Sequence, residues 1–389
     1  MASAFMTRCF PDRSVPSGGV GGAVVRPAGT ADLPALMRLE TSAFSENRLS
    51  RRSLHHLLTR AHAFCLVAEL RGTIVGYALV LLRRGTSLAR LYSFAVNPER
   101  RGEGLGRTLL RAAEREAAGH HAQVMRLEVR PDNAAAIALY RAAGYRQFGR
   151  YMDYYEDHAA ALRFEKRLAL DLSPREPRVP YYGQTTDFTC GPAALLMAMK
   201  ALDPAVELDR RQELRLWREA TTVFMASGHG GCEPFGMALA AHRRGFRVVI
   251  HVSEDSPIFL DGVRDPRKKE VMRLVQMDFR DQVAETDITV VHRSLTPDEL
   301  AGYIDEGAIP IVLISLFRMY RVKEPHWVVV HGHDDRFIYA HDPLIERDTL
   351  DEAMDKADMP IPLREFAHMS RYGRTALRAA VVLSRREAP

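Results

Sequence analysis

Apolar positions recur at helical spacing in the segment that follows residue 30. Leu33, Leu36, Met37 and Leu39 fall on one face, so Thr30 to Ser42 is expected to be a helix, and Ser50 to Arg60 repeats the pattern. The period then changes to two. Ala63 to Leu70 and Thr73 to Leu82 read as strands joined by a turn at Arg71-Gly72, and Ala89 to Val96 as a third strand halted by Asn97-Pro98. A helix over Gly104 to Gly119, a strand over Val124 to Arg130 and a helix over Asn133 to Ala143 follow. Closing strands are expected over Tyr145 to Tyr155 and Leu162 to Leu168. The alternation predicts a mixed α/β layer architecture. Farther along, a helix is expected to begin near Gly191-Pro192, since proline is favoured in the first turn.

Between the two patterned regions the chain is punctuated. Pro174, Pro177 and Pro180 fall in one short stretch that suits neither a helix interior nor a central strand, and it reads as a semi-rigid linker. Residues 1–22 are rich in Gly, Ser and Pro and are expected to form a flexible leader. The expected organisation is therefore a leader over 1–22, a domain over 23–170, a linker over 171–177 and a second domain over 178–385. No internal repeat interrupts it.

Composition narrows the class. Of 389 residues, 47% are apolar and 26% charged, which is the mix of a globular protein and excludes wholesale disorder. The four cysteines (Cys9, Cys65, Cys190 and Cys232) are far apart, so neither a disulfide scaffold nor an all-cysteine zinc site is expected. No apolar run is long enough to span a membrane. A reducing, cytoplasmic home follows, with no membrane partner. The net charge is +5 overall, but +9 over residues 1–172 (25 basic, 16 acidic) and −4 over 173–389 (29 basic, 33 acidic). Only six of the 54 cations are lysine, so the basic half reflects arginine usage as readily as an anionic partner, and no nucleic acid is expected.

The first candidate chemistry follows the strand Leu91-Tyr-Ser-Phe-Ala-Val96. Glycines at 102, 104 and 106 allow backbone N–H groups to approach an anion, and the helix that follows aims its positive end at the same point. The loop lacks the Gly-Lys-Ser/Thr of a P-loop, and the hairpin-like pair before it does not suit a Rossmann unit. Arg101-x-x-Gly104-x-Gly106, with Leu127-Glu-Val-Arg-Pro-Asp-Asn-Ala-Ala-Ala-Ile-Ala-Leu-Tyr-Arg-Ala-Ala-Gly-Tyr145, resembles the GNAT family of N-acetyltransferases. The second segment is similar to the branch that acetylates the N-terminal alanine of a ribosomal protein. The resemblance implies a mixed, mostly antiparallel sheet flanked by helices, and acetyl-CoA as cofactor. It implies that backbone groups of Phe94, Ala95 and Val96, and of Gly102, Glu103, Gly104, Leu105, Gly106 and Arg107, hold the cofactor, with Asn133 beside it. Glu128 would be general base and Tyr140 general acid. The apolar strand around Glu128 would raise its pKa. Outside the motif, Glu128 reads as a carboxylate paired with Arg126 or Arg130, and Tyr140 as packing beside Leu139.

The second candidate chemistry centres on Gln184-Thr-Thr-Asp-Phe-Thr-Cys190-Gly-Pro. Cys190 lies at a predicted helix start, where the dipole lowers a thiol pKa, and Gln184 is placed to donate to an oxyanion. His326 opens an apolar strand, and a return strand over Phe337 to Ala340, after a turn at His333-Asp334-Asp335, brings Asp342 beside it. His331, His333 and His341 have no metal-cage spacing and read as turn and surface residues; no metal is expected. Cys232 with His229 makes no recognisable site either, and the stripe Leu195, Leu196, Met197 and Met199 reads as core. The segments Gln-x5-Cys-Gly-Pro-Ala and His-Trp-Val-Val-Val…Asp-Pro resemble C39-like cysteine peptidases, which implies a papain-like fold. By that resemblance Cys190 is nucleophile, His326 general base, Asp342 the orienting group and Gln184 the oxyanion donor.

Together these readings anticipate a bifunctional enzyme: an N-acetyltransferase for a peptide, protein or small-molecule amine, joined to a thiol hydrolase for a peptide. Hydrolysis would expose the amine that the transferase consumes. The alternatives for the C-terminal half are a non-catalytic peptide-binding module and an amide-forming acyl transferase. The sequence implies no oligomeric state.

Overall fold

The structure, a computed structural model, describes residues 22–44, 48–155, 157–168, 179–222, 230–261, 263–344 and 356–386. The expected linker over 171–177, His229 and nearly all of the expected leader lie outside the described residues. The chain divides into two compact units. The described residues up to Leu82 and from Leu88 to Leu168 form the first; those from Val179 onward, with Arg83–Ser87, form the second.

The first unit is a seven-stranded sheet: β1 (Val24–Pro27), β2 (Ala63–Leu70), β3 (Thr73–Leu82), β4 (Leu88–Val96), β5 (Val124–Val129), β6 (Arg146–Tyr151) and β7 (Ala161–Arg167). Its spatial order is β1-β2-β3-β4-β5-β7-β6. All neighbours are antiparallel except β4 and β5. The helices are α1 (Leu33–Ala43), α2 (Arg51–Thr59), α3 (Leu105–Gly119) and α4 (Ala134–Ala142). The first expected helix opens with a 3-10 turn over Thr30–Asp32, and the α-helix proper starts at Leu33. The strand expected to reach Tyr155 ends at Tyr151. Asp153 takes a left-handed φ of 58°, which a strand cannot accommodate.

One feature of the sheet matters for chemistry. The parallel ladder joins Leu88–Leu91 to Val124–Leu127 and then stops, while β4 runs on to Val96 and β5 to Val129. Beyond Leu91 and Leu127 the two strands part. The apolar core beneath contains Leu105, Leu109 and Leu110 of α3, Ile137 and Tyr140 of α4, and Met125, Leu127 and Val129 of β5.

The second unit is also seven-stranded: β8 (Arg247–Val252), β9 (Thr289–Val291), β10 (Ile309–Ser315), β11 (Pro325–His333), β12 (Phe337–His341), β13 (Met359–Pro362) and β14 (Ala379–Ser384). The order is β13-β12-β11-β10-β14-β8-β9, with only β8 and β9 parallel. Helices α5 (Cys190–Leu202) and α7 (Pro234–His242) pack on it, and α6 (Arg210–Ala220) packs on those two helices. Leu195, Leu196, Met197 and Met199 of α5 are all buried in the core. Such an all-round apolar helix is a core helix. Among the described residues no helix is long and apolar enough to cross a membrane.

Candidate active sites

The glycine-rich turn of the first unit is shaped by backbone that only glycine adopts freely. Gly102 has φ 88° and Gly104 φ 79°, and α3 begins at Leu105 directly after them. The turn borders a cavity of about 430 Å³ lined by Gly102, Glu103, Gly104, Arg107, Thr108 and Arg111. A Cβ on Gly102 would meet nothing within 4 Å, so main-chain groups there are open to a ligand. Positive helix end, open main chain and two arginines fit an anionic pyrophosphate. Leu105 is buried in the core, so it can offer only its backbone. At Gly106 a Cβ would stand 3.4 Å from Leu139 Cδ2, which sets how closely α3 approaches α4. Phe94 packs edge-on against Tyr140 at 6.4 Å. Ala95 and Val96 continue β4 beyond its ladder with β5, paired with Tyr77 and Gly76 of β3. Asn133 caps α4, its Oδ1 accepting from Ala136 N at 3.1 Å.

Glu128 and Tyr140 do not share a face of the sheet. Met125, Leu127 and Val129 point into the core that holds Tyr140, so strand alternation turns Glu128 to the opposite face. Glu128 lies one residue past the end of the β4–β5 ladder, and its charge reaches the Tyr140 phenol. Burial, with smaller contributions from Tyr155 and Glu128, raises that phenol well above its ordinary pKa. The expected apolar surroundings of Glu128 need correction. Its Oε2 accepts from Arg90 Nε at 2.8 Å, and both side chains are almost fully buried. Arg90 also donates to the Tyr154 hydroxyl at 3.0 Å. Arg126 pairs with Glu165 at 2.9 Å, and Arg130 with Asp132 at 3.2 Å and Asp157 at 2.9 Å.

In the second unit, Cys190 is the first residue of α5, at a point where the chain has no room to shift. A Cβ on Gly191 would lie 3.1 Å from Met237 Sδ, 3.2 Å from Cys232 Cβ and 3.3 Å from Trp327 Cδ1. His326 is buried near the start of β11, and its Nε2 is 2.7 Å from Asp342 Oδ1. That contact leaves Nδ1 as the ring nitrogen available to the thiol. Asp342 follows β12 and is fully buried; its Oδ1 also accepts from Leu344 N at 2.9 Å. Burial pushes the Cys190 thiol up, but the charge and hydrogen bond of His326, with backbone N–H groups of Trp327 and Gly191, bring it below its usual value. Burial likewise works against an imidazolium at His326, yet Asp342 and Cys190 raise its pKa to about 10. Both shifts run in the direction that favours a thiolate–imidazolium pair backed by a carboxylate.

Gln184 is tied to the same place. Its backbone N–H donates to Pro343 O at 2.8 Å, and the Tyr181 hydroxyl donates to Asp342 O at 3.0 Å. Gln184 is 8% exposed; its side chain donates from Nε2 to Thr186 O at 2.8 Å and has a buried Oε1 with no hydrogen-bond partner. One of its two amide protons thus remains for a ligand.

Several residues were not legible in advance. Tyr320 donates to Asp342 Oδ2, and Lys356 Nζ donates in turn to Tyr320 from a fully buried position. Glu213 of α6 is also fully buried and holds the segment that precedes Cys190. Its sequence context, Arg-Arg-Gln-Glu-Leu-Arg, reads as an exposed charged helix, so the sequence offers no signal for it. His331 and His341 are buried, contrary to the surface expectation. His341 Nε2 contacts Val179 O at 2.8 Å and its Nδ1 accepts from Asp358 N at 2.8 Å, a neutral ring satisfied within the fold. Cys232 is buried against the start of α5, and burial holds its thiol well above the usual range.

Comparison with known proteins follows the same division. The acetyltransferase (GNAT) family model matches residues 33–145, and the Peptidase C39-like family model matches residues 179–384, more than half of the chain. The [ribosomal protein bS18]-alanine N-acetyltransferase of Escherichia coli (strain K12) is 32% identical over 137 residues, spanning 32% of this chain and 82% of that protein. An N-alpha-acetyltransferase of Sulfolobus acidocaldarius is 31% identical over 144 residues, spanning 34% of this chain and 85% of that protein. Among solved structures, the ribosomal-protein-S18-alanine N-acetyltransferase from Escherichia coli aligns at TM-score 0.36 and 25% identity, covering 39% of this chain and 98% of that one. The chain belongs to the GNAT family in its first unit, an N-acetyltransferase that uses acetyl-CoA, and to the Peptidase C39-like family in its second.

Proposed function

We propose that the N-terminal site acetylates the terminal amine of a peptide or protein, and that the C-terminal site is a thiol hydrolase that cleaves a peptide amide bond. The observation that carries the hydrolase reading is the buried His326 ring, held by Asp342 at 2.7 Å, whose charge acts on the Cys190 thiol at the start of α5. The names of two relatives, which acetylate a ribosomal protein's alanine or an N-terminal α-amine, support a protein acceptor.

In the transferase, bound acetyl-CoA supplies an acetyl carbonyl activated as a thioester. The turn at Gly102 and Gly104 and the start of α3 bind the pyrophosphate. Main-chain N–H groups of Phe94 to Val96, beyond the β4–β5 ladder, orient the carbonyl. An amine attacks only when unprotonated, so Glu128, paired with Arg90 as a carboxylate, takes its proton directly or through water. Tyr140, kept protonated by burial, holds the proton that the departing sulfur needs.

In the hydrolase, the Cys190 thiolate attacks the amide carbon, and the negative oxygen is met by Gln184 Nε2 and the positive end of α5. His326 gives its proton to the leaving amine, and the C–N bond breaks. A water molecule, deprotonated by His326, then releases the acid from sulfur. Asp342 keeps the imidazole oriented throughout.

A peptide library incubated with isotopically labelled acetyl-CoA tests both halves by mass spectrometry. Labelled N-terminal acetyl groups are expected from the wild-type protein but not from Glu128→Gln. Internal cleavage products are expected from the wild-type protein but not from Cys190→Ala. Peptides left unlabelled by the wild-type protein overturn the acceptor reading, and uncleaved peptides overturn the hydrolase reading.

A further inference from the structure

We infer that Glu213 is a positioning residue for the thiol site: it fixes the turn that carries Gln184 and Cys190 so that the oxyanion donors converge. The inference rests on the thiol-hydrolase reading and adds a residue to it. Glu213 sits on α6 with no exposed surface. Four donors reach its carboxylate. Thr185 N donates at 2.8 Å and Thr185 Oγ1 at 2.7 Å, Tyr182 OH donates at 2.9 Å, and Thr189 Oγ1 completes the set. All four come from one eight-residue segment, 182–189, which contains Gln184 and ends beside Cys190. Phe188 of that segment also packs on Trp217 of α6, with ring centroids 4.9 Å apart.

A buried carboxylate is costly unless fully hydrogen-bonded, and an apolar residue would serve packing alone at least as well. What a four-donor carboxylate adds is a single permitted conformation. The Gln184 amide is held at its base by Thr186 O, so its remaining proton points wherever this turn points it.

Two reactions of the same sulfur separate positioning from mere stability. With iodoacetamide an S–C bond forms and iodide leaves, and no oxyanion develops. With p-nitrophenyl acetate the sulfur attacks a carbonyl carbon, an oxyanion forms, the C–O bond breaks and p-nitrophenolate departs with the electron pair. In Glu213→Leu the acylation burst, defined as the part that Cys190→Ala lacks, is expected to slow roughly tenfold or more. The alkylation rate of Cys190 and its pH midpoint stay at wild-type values. Glu213→Gln, which keeps an oxygen for the Thr185 N–H while the hydroxyls rotate to accept, restores most of the burst. Should Glu213→Leu fail to fold, Thr189→Val is read in the same way. Acylation and alkylation that fall together, or acylation that does not fall in a folded variant, overturn the inference. A wild-type Cys190 that is neither alkylated nor acylated instead removes the hydrolase reading, and this inference with it.

Discussion

The three described cysteines carry the same side chain into different electrostatic surroundings. Burial pushes the Cys65 thiol up to about 12 and the Cys232 thiol well above its usual value. Cys190 is also desolvated, yet His326 and two backbone N–H groups hold it low. Because the thiolate is the reacting form, iodoacetamide should label Cys190 first and at a pH where an ordinary thiol is inert. The rate should fall as pH drops through the lowered pKa, and mass-spectrometric mapping that finds Cys65 or Cys232 labelled ahead of it would contradict the charge arrangement. In the transferase, Glu128→Gln and Tyr140→Phe each remove one proposed proton-transfer group. Each should lower kcat by about 100-fold or more while leaving the KM for acetyl-CoA near its original value, as steady-state kinetics would show. An unchanged kcat in either variant would remove that residue from the proton path.

At the scale of elements, the turn ahead of α3 makes a specific demand on the backbone. Gly104 stands at φ 79° as the residue that opens the helix. An alanine there costs roughly 1–2 kcal/mol of strain or displaces the turn. Gly104→Ala is therefore expected to raise the KM for acetyl-CoA by about tenfold with a smaller effect on kcat. A change in kcat alone would argue against a cofactor-binding role. Sequence periodicity located most elements because local signals mark their ends. The hairpin of β2 and β3 turns at Arg71 and Gly72, both left-handed, where Arg-Gly interrupts two alternating runs. The gathering of Cys190, His326 and Asp342 was legible because a helix start and a hairpin each announce themselves locally. What the sequence hid was lateral. Glu128 takes its partner from the neighbouring strand, and no spacing along β5 reports Arg90. Glu213 looks like one charge among many on α6 and is buried only because another segment folds over it. The burial of His331 and His341 likewise follows from neighbours distant in the chain.

At the scale of the whole molecule, each unit has its own sheet and its own apolar core, and each proposed site draws its residues from one unit. The two chemistries should therefore be separable by single substitutions. Cys190→Ala is expected to acetylate at the wild-type rate, and Glu128→Gln to keep the wild-type rate of Cys190 alkylation. A cross-effect in either assay would show that one site depends on the other. A last consequence lies in the crowding at Gly191, where Met237, Cys232 and Trp327 close around a position with no side chain. A side chain next to the sulfur would have to push these neighbours aside by a few tenths of an ångström. A change in the surroundings of the Cys190 sulfur is accordingly easier to make on the imidazole and carboxylate side than on the helix side, where three packed side chains crowd one gap.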